Sequence, residues 1–405
     1  MFAKLHYGAA QPLDFDLPAD ALPAACGMPT AKPLADPQAA ALAALEAPRG
    51  FPPLAQATVP GDRVVLALER GVPQAGALVA ALFQTLIGRG LLPEDITLLT
   101  PAADTLGPNP RELVPAEFRK LARYETHDPD SRDHLSYLAV GEGDEPIYMN
   151  RSICDADVVV PVGCIRAAGA LDYHGLFGGL FPTFAGRKLQ DKSFAESLTL
   201  NRKHEAAQQA MILQAGWLLG VQFTLQVVPG PGGTILEVLA GLPSEVYTTG
   251  EAMYQEHWKF QTPRSAPLVV AAIDGAAEQT WDNVARALYT ASQVVSSDGA
   301  IAICTTLKEP PGESLRQYAA APDARVALKK IHKQRLNDSL PAAALVRALS
   351  QARVYFLSQL EEATVEELGM APVASAAEMT RLAKRFAQCI LIDNAQYALV
   401  STEGE

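Results

Sequence analysis

The sequence predicts an α/β protein of two domains, each a mostly parallel sheet with flanking helices, separated by an interdomain cleft. Three observations predict it. Short apolar runs of strand length alternate with longer periodic stretches of helix length, the order that makes right-handed βαβ units. The alternation stops at the proline-containing segment QTPRSAP (Gln261 to Pro267) and restarts beyond it, as at a domain boundary. The 405 residues, 49% of them apolar and 19% charged, suffice for two or three cores at roughly 100–200 residues each.

Residues 1–60, rich in Ala and Pro, are expected to form an N-terminal arm. Its one helix runs from Asp36 to Ala47, with Asp36 as N-cap and Pro37 in the first helical position. The first domain, 61–262, opens with RVVLAL (Arg63 to Leu68), an apolar run typical of a buried parallel strand. A turn with Gly71 and Pro73 leads to a helix over 75–87. DITLLT (Asp95 to Thr100) is the next strand, followed by a polar loop over 101–110 and a helix over 111–122. DVVVPVG (Asp157 to Gly163) then enters the glycine-rich loop IRAAGALDYHGLFGGLFPTFAG, ahead of the helical NRKHEAAQQAMILQAGWLLG. A loop of that length inside a compact α/β domain signals function. VQFTLQVVP, the turn PGPGG and TILEVLAG read as two strands, the second returning antiparallel.

The second domain, 266–400, runs through the strand LVVAAIDG, a helix over 277–295, the strand AIAICTT and helices over 313–319, 323–335 and 341–351. RVYFLS, a helix near 376–387 and CILIDNA complete it. Ligands of such sheets bind at the carboxyl ends of the strands, which directs attention to the loops after Leu68, Thr100, Gly163 and Ile273.

Charge and cysteine usage narrow the function. With 33 Lys+Arg against 45 Asp+Glu the net charge is −12, the wrong sign for a nucleic-acid partner. Apolar runs stay far below the roughly 20 residues of a membrane span, and the N-terminus lacks the apolar core of an export signal. Five cysteines without a CxxC pair fit neither a disulfide framework nor a zinc ribbon, so a reducing cytoplasm is the expected location. The sequence contains no GxxxxGK[ST], GxSxG or HExxH, and its GLFGG (Gly175 to Gly179) lacks dinucleotide-loop spacing.

Individual residues admit two readings each. His174, beside Asp172 and Tyr173 in the glycine loop, is either an acid/base or metal ligand, or a loop histidine bonded to backbone. His127 and His134, in THDPDSRDH, are either carboxylate-coupled metal ligands or part of a polar surface loop. His204 stands at a helix start among Arg202, Lys203 and Glu205. Asn283 and Arg286, at i and i+3 of one predicted helix, share a face and can clamp a carboxylate, or simply form a solvated face. Glu69, directly after the first strand, suits a catalytic acid or a helix-terminal carboxylate equally.

The order of these segments resembles the lactate racemase family that carries the nickel-pincer nucleotide. The resemblance runs from about residue 60 to 400 and rests on VVLALERGVP, ITLLTPAADTLGPNPREL, THDPDSRDHLSYLAVGEGDEPIYMNRSICDADVVVPVGCI, the glycine loop and the EQTWDNVAR helix. It implies a two-domain lactate-racemase-like fold in which the cofactor's nickel takes and returns a hydride at the carbinol carbon of a 2-hydroxy acid, while two histidines act as acid and base. Several family positions carry other residues in this chain. The loop aspartate and arginine fall on Glu69 and Val72, and the first catalytic histidine falls near Thr105. Ala168 takes the second histidine's place, Gly178 that of the lysine anchoring the cofactor, and Phe194 that of the nickel-ligand histidine. Alanine and glycine shuttle no protons, and without the lysine amine there is no covalent attachment. The substrate-side pair matches Asn283 and Arg286.

The expectation is therefore a divergent relative that binds a small 2-hydroxy acid or other carboxylate in its cleft without the covalent nickel-pincer cofactor. The alternative is an active racemase or epimerase of a 2-hydroxy acid or sugar acid that uses that nucleotide. The candidate residues are His174 and Glu69 for catalysis, Asn283, Arg286 and Thr105 for substrate, and Gly178 and Gly179 for cofactor, with no metal ligand assigned. Neither nucleic acid nor membrane is an expected partner, and self-association into a homo-oligomer is left open.

Overall fold

The strand Val64–Leu68 is buried along its whole length, which requires protein on both faces of its sheet. In the computed structural model, which describes residues 2–101, 109–140, 146–166, 171, 175–177, 179–197, 202–321, 323–334 and 338–403, it is an inner strand of a six-stranded sheet. The order there is Ile235–Gly241, Thr224–Pro229, Val158–Cys164, Val64–Leu68, Ile96–Thr100, Arg123–Thr126. Every pairing is parallel except that of the first two strands, where Ile235–Gly241 returns antiparallel. Successive side chains alternate between faces. Leu66, Leu68, Val160 and Val162 pack with the helix Ala75–Gly88. On the other face, Val65, Ala67 and Val159 meet Leu180, Phe181, Phe184, Ile212 and Ala215. The end of the glycine loop is thus part of the first domain's core.

The second sheet is parallel throughout, in the order Ala371–Pro372, Arg353–Leu357, Val295–Cys304, Ala266–Ala272, Cys389–Ile392, Ala24–Cys26. Its edge strand comes from the N-terminal sixty residues, with Ala24 opposite Ile390. The hairpin Phe2–Leu5 and Leu13–Asp16 packs Leu5, Leu13 and Phe15 on one face of this sheet. Helices Trp281–Ser292 and Ser339–Gln351 cover the other. The chain then crosses to the first domain, where helix Pro37–Glu46, capped by Asp36 Oδ1 accepting from Ala39 N at 3.0 Å, contacts helix Ala75–Gly88 and strand Ile235–Gly241. A two-stranded parallel ladder, Lys259–Thr262 with Leu399–Thr402, joins the boundary segment to the chain's end.

Local departures from the sequence reading have local causes. The helix expected over 111–122 stops after Pro110–Leu113, because Pro115 forces Val114 into extended backbone, φ −83° and ψ 138°. The strand Arg123–Thr126 and the hairpin Leu135–Val140 with Pro146–Asn150 occupy stretches to which the sequence reading assigned no element. All five cysteines are free thiols, buried or half-buried.

Candidate functional site

Both sheets share one winding, and it creates a crevice in each. From Val64–Leu68 the chain builds outward to Ile96–Thr100 and Arg123–Thr126, then crosses to place Val158–Cys164 on the other side. From Ala266–Ala272 it builds out to Val295–Cys304 and Arg353–Leu357, then crosses to Cys389–Ile392. At such switch points the loops diverge and leave a ligand crevice. The first lies between Leu68 and Cys164, the second between Ala272 and Ile392.

The first crevice holds a small, partly open cleft lined by, among others, Glu69, Cys164, Arg166, Gly179, Gln226 and Tyr247. Glu69 is fixed by its own backbone, N–H donating to Val162 O at 2.8 Å, and by Oε2 accepting from Cys164 N at 3.1 Å. A Cβ at Gly163 would lie 2.6 Å from both Glu69 Oε2 and Gln226 Oε1, and one at Gly179 3.0 Å from Glu69 Oε2. Glycine at these positions is what leaves room for the two polar side chains. Gln226 is held by Nε2 donating to Thr224 Oγ1 at 2.8 Å, and Thr224 Oγ1 donates to Pro161 O at 2.9 Å.

Across from these residues the second domain presents a buried polar chain. Glu278, 7% exposed, ends a short 3-10 turn after Ala266–Ala272. The Asn283 amide Nδ2 donates to Glu278 Oε2 and to Glu278 O, both at 2.8 Å, and Asn283 Oδ1 accepts from Arg286 Nη1 at 2.6 Å. Asn283 is therefore committed to protein partners and sets the spacing between a carboxyl group and a guanidinium. Burial pushes the Glu278 carboxyl up, opposed by the Tyr397 hydroxyl, Asn283, Arg286 and Arg166. The Tyr397 phenol is driven well above its ordinary range by burial and by Glu278.

The two halves are in contact. Glu278 Oε1 lies 3.3 Å from where a Cβ on Gly233 would stand, Gly232 N donates to Asn394 Oδ1 at 3.0 Å, and Trp258 Nε1 donates to Pro229 O at 2.9 Å while its ring packs on Tyr397. Tyr254 donates to Tyr397 O at 2.6 Å. The Cys164 thiol, pushed up to about 12 by burial, feels Arg166, Glu69, Glu278 and Arg286 together. Groups from both domains thus converge on the end of the Val158–Cys164 strand.

Of the residues singled out in the sequence, Glu69 and Gly179 meet in the first crevice, and Asn283 and Arg286 meet across from them. His174, Thr105, Gly178 and Ala168 lie outside the described residues, as do the side chains of Phe194 and His204. His134 is exposed. His127 is 1% exposed, with Nε2 2.9 Å from Ala185 O. Arg166, Gln226, Glu278 and Tyr397 escaped sequence reasoning. Arg166 carried a usable signal, since it follows the strand on the opposite side of the switch point from Glu69. Among the described residues no cluster of three or more His, Cys, Asp or Glu side chains suits a metal, and no helix is long and apolar enough to cross a membrane.

Residues 7–204 match the family model for the lactate racemase N-terminal domain. The lactate racemase apoprotein from Thermoanaerobacterium thermosaccharolyticum has the same fold, with a TM-score of 0.80 at 17% identity over 99% of this chain and 100% of that one. A protein from Thermotoga maritima is similar at a TM-score of 0.64 and 12% identity, over 92% of this chain and 99% of that one. No curated protein matches the chain.

Proposed function

We propose, from the match of residues 7–204 to the family model for the lactate racemase N-terminal domain and from the likeness of fold to a lactate racemase, that this protein binds a small carboxylate, of the 2-hydroxy acid class, in the cleft between its two sheets. The observation that supports the reading is that Arg166, which lines the crevice with Glu69, and Arg286, held by Asn283 in the second domain, both act electrostatically on the Cys164 thiol, as do Glu69 and Glu278. A guanidinium presents a planar fork that matches a carboxylate. Arg286 supplies that fork from the second domain, at a position fixed by Asn283 Oδ1. Glu69 and Gln226, oriented by Cys164 N and Thr224, offer an acceptor and an amide suited to a hydroxyl beside the carboxylate.

Anchoring the family's pincer cofactor takes a lysine amine and its nickel takes a histidine, and the resemblance puts Gly178 and Phe194 at those positions, Gly178 and the Phe194 side chain lying outside the described residues. No step is assigned to that cofactor. In this reading the cleft works without a covalently attached nucleotide, and the carboxyl of Glu278 is its best-placed protonatable group on the second-domain side.

Calorimetric titration with lactate tests the reading. The wild-type chain is expected to bind, and Arg286→Ala to bind at least about tenfold more weakly, the loss of one charge-assisted pair. Equal affinity in the two proteins removes Arg286 from the site. Intact mass and nickel content of protein made alongside the pincer biosynthesis enzymes test the cofactor. Unmodified, nickel-free protein agrees with the reading, and stoichiometric nickel with added nucleotide mass overturns it.

A further inference from the structure

Far from both arginines, a buried histidine holds the segment that completes the cleft wall. Gly175, Leu176 and Gly179 line the cleft, and the chain that follows them is stitched to the hairpin strand Pro146–Asn150 and to the loop after Arg123–Thr126. Asn150 N donates to Phe184 O at 2.8 Å, Gly186 N to Tyr148 O at 2.9 Å and Arg187 N to Pro129 O at 2.9 Å. His127 sits at the centre of this seam. Its backbone N–H donates to Thr100 O at 2.9 Å, its ring meets Phe184 edge-on at 5.8 Å, and the side chain is enclosed.

The hydrogen bonds fix its tautomer. Ala185 O only accepts, so His127 Nε2, 2.9 Å away, carries the proton and donates. Nδ1 is then a lone-pair acceptor, and the Asn150 amide nitrogen faces it at 3.4 Å. That nitrogen also donates to Glu125 Oε1 at 2.7 Å, while Ser152 Oγ donates to the other Glu125 oxygen. Asn150 Oδ1 accepts from Ile153 N at 3.3 Å as a helix cap. The amide cannot turn over without setting its oxygen against the Glu125 carboxylate and abandoning that cap.

We infer that His127 is a positioning residue and a pH-sensitive latch: neutral, it donates to Ala185 O and accepts from Asn150, and protonated at Nδ1 it keeps the Ala185 bond but sets donor against donor at Asn150, loosening the bond that Asn150 N makes to Phe184 O. The charged groups around it are Glu125, Asp128 and Asp130, which favour the proton, and Arg187, which opposes it and is itself paired with Asp130 at 2.9 Å. Burial outweighs the carboxylates and holds the ring below the ordinary histidine range, so the latch stays closed near neutral pH and opens on acidification.

Amide hydrogen exchange on the full chain tests this, from about pH 8 to about pH 5, with wild type beside His127→Gln. Glutamine keeps an N–H donor for Ala185 O and does not titrate. After correction for intrinsic rates, protection of the Asn150 amide, which donates to Phe184 O, is expected to fall at least about tenfold with acid in the wild type and to stay level in the variant. A parallel fall in both proteins, or none in the wild type, overturns the latch. Should the variant not fold, imidazole NMR of the wild type decides: His127 is expected as the Nε2–H tautomer titrating below the ordinary histidine range, and titration within that range overturns the proposal. Lactate affinity over the same range rests on the proposed carboxylate site, and the exchange readout does not. Absence of lactate binding at every pH alongside acid-labile protection removes the ligand reading and supports the latch.

Discussion

Gly163 is where the missing side chain matters most, because the space a Cβ would fill holds Glu69 Oε2 and Gln226 Oε1. Both are the far ends of flexible side chains and can move aside. Gly163→Ala is therefore expected to cost within about 1 kcal/mol of stability in urea unfolding while pulling Glu69 off Cys164 N and weakening lactate binding. Unchanged binding would show that Glu69 is not part of the ligand site. Glu278 behaves differently, since burial raises its carboxyl. The folded state then binds that proton more tightly than the unfolded chain, so its contribution to stability is complete at low pH and is lost as pH rises through the raised value. Glu278→Gln carries no such proton. Relative to that variant, wild type is expected to lose stability as pH climbs above the ordinary carboxyl range, and parallel pH profiles in denaturant titrations would contradict the assignment. Glu69, Asn283 and Arg286 were legible in the sequence because each follows a strand end or shares a helix face with its partner. Glu278 and Tyr397 were not, because only the meeting of distant segments buries them together.

At the scale of elements, caps and prolines set the boundaries. Asp36 closes the first turn of Pro37–Glu46 through Ala39 N, and Asp36→Ala is expected to cost about 1 kcal/mol, readable by chemical denaturation. The strands Val64–Leu68, Ile96–Thr100 and Val158–Cys164 were readable because burial on both faces writes a continuous apolar run. The strand Arg123–Thr126 is half exposed at a sheet edge and writes no such run, so helical periodicity upstream masked it. Hairpin Leu135–Val140 with Pro146–Asn150 was hidden for a related reason. Its outward residues Tyr137 and Tyr148 are exposed and pack on each other, ring centroids 5.9 Å apart.

Across the whole molecule, the first sixty residues belong to both domains. Their hairpin carries His6 to the second sheet's crevice, where Nδ1 lies 2.9 Å from Oδ2 of the buried Asp393. Burial and Asp274 raise that carboxyl, and His6 opposes both. His6→Ala removes the imidazole from Asp393, leaving it the bonds from the residue 6 backbone N–H and from Asn394, and is expected to cost about 1–3 kcal/mol. In an Asp393→Asn background the same change should cost less, and equal costs in a double-mutant cycle would mean that the pair contributes nothing.

The sequence by itself determined the α/β class with mostly parallel sheets and the likeness to lactate racemases, because alternating periodicity and segment order are local properties that survive at 17% identity. Tertiary structure alone decided which polar groups come near one another. Arg166, Glu278, Arg286 and Tyr397 meet only when two sheets of the same winding bring their strand ends together, and no spacing along the chain records that distance.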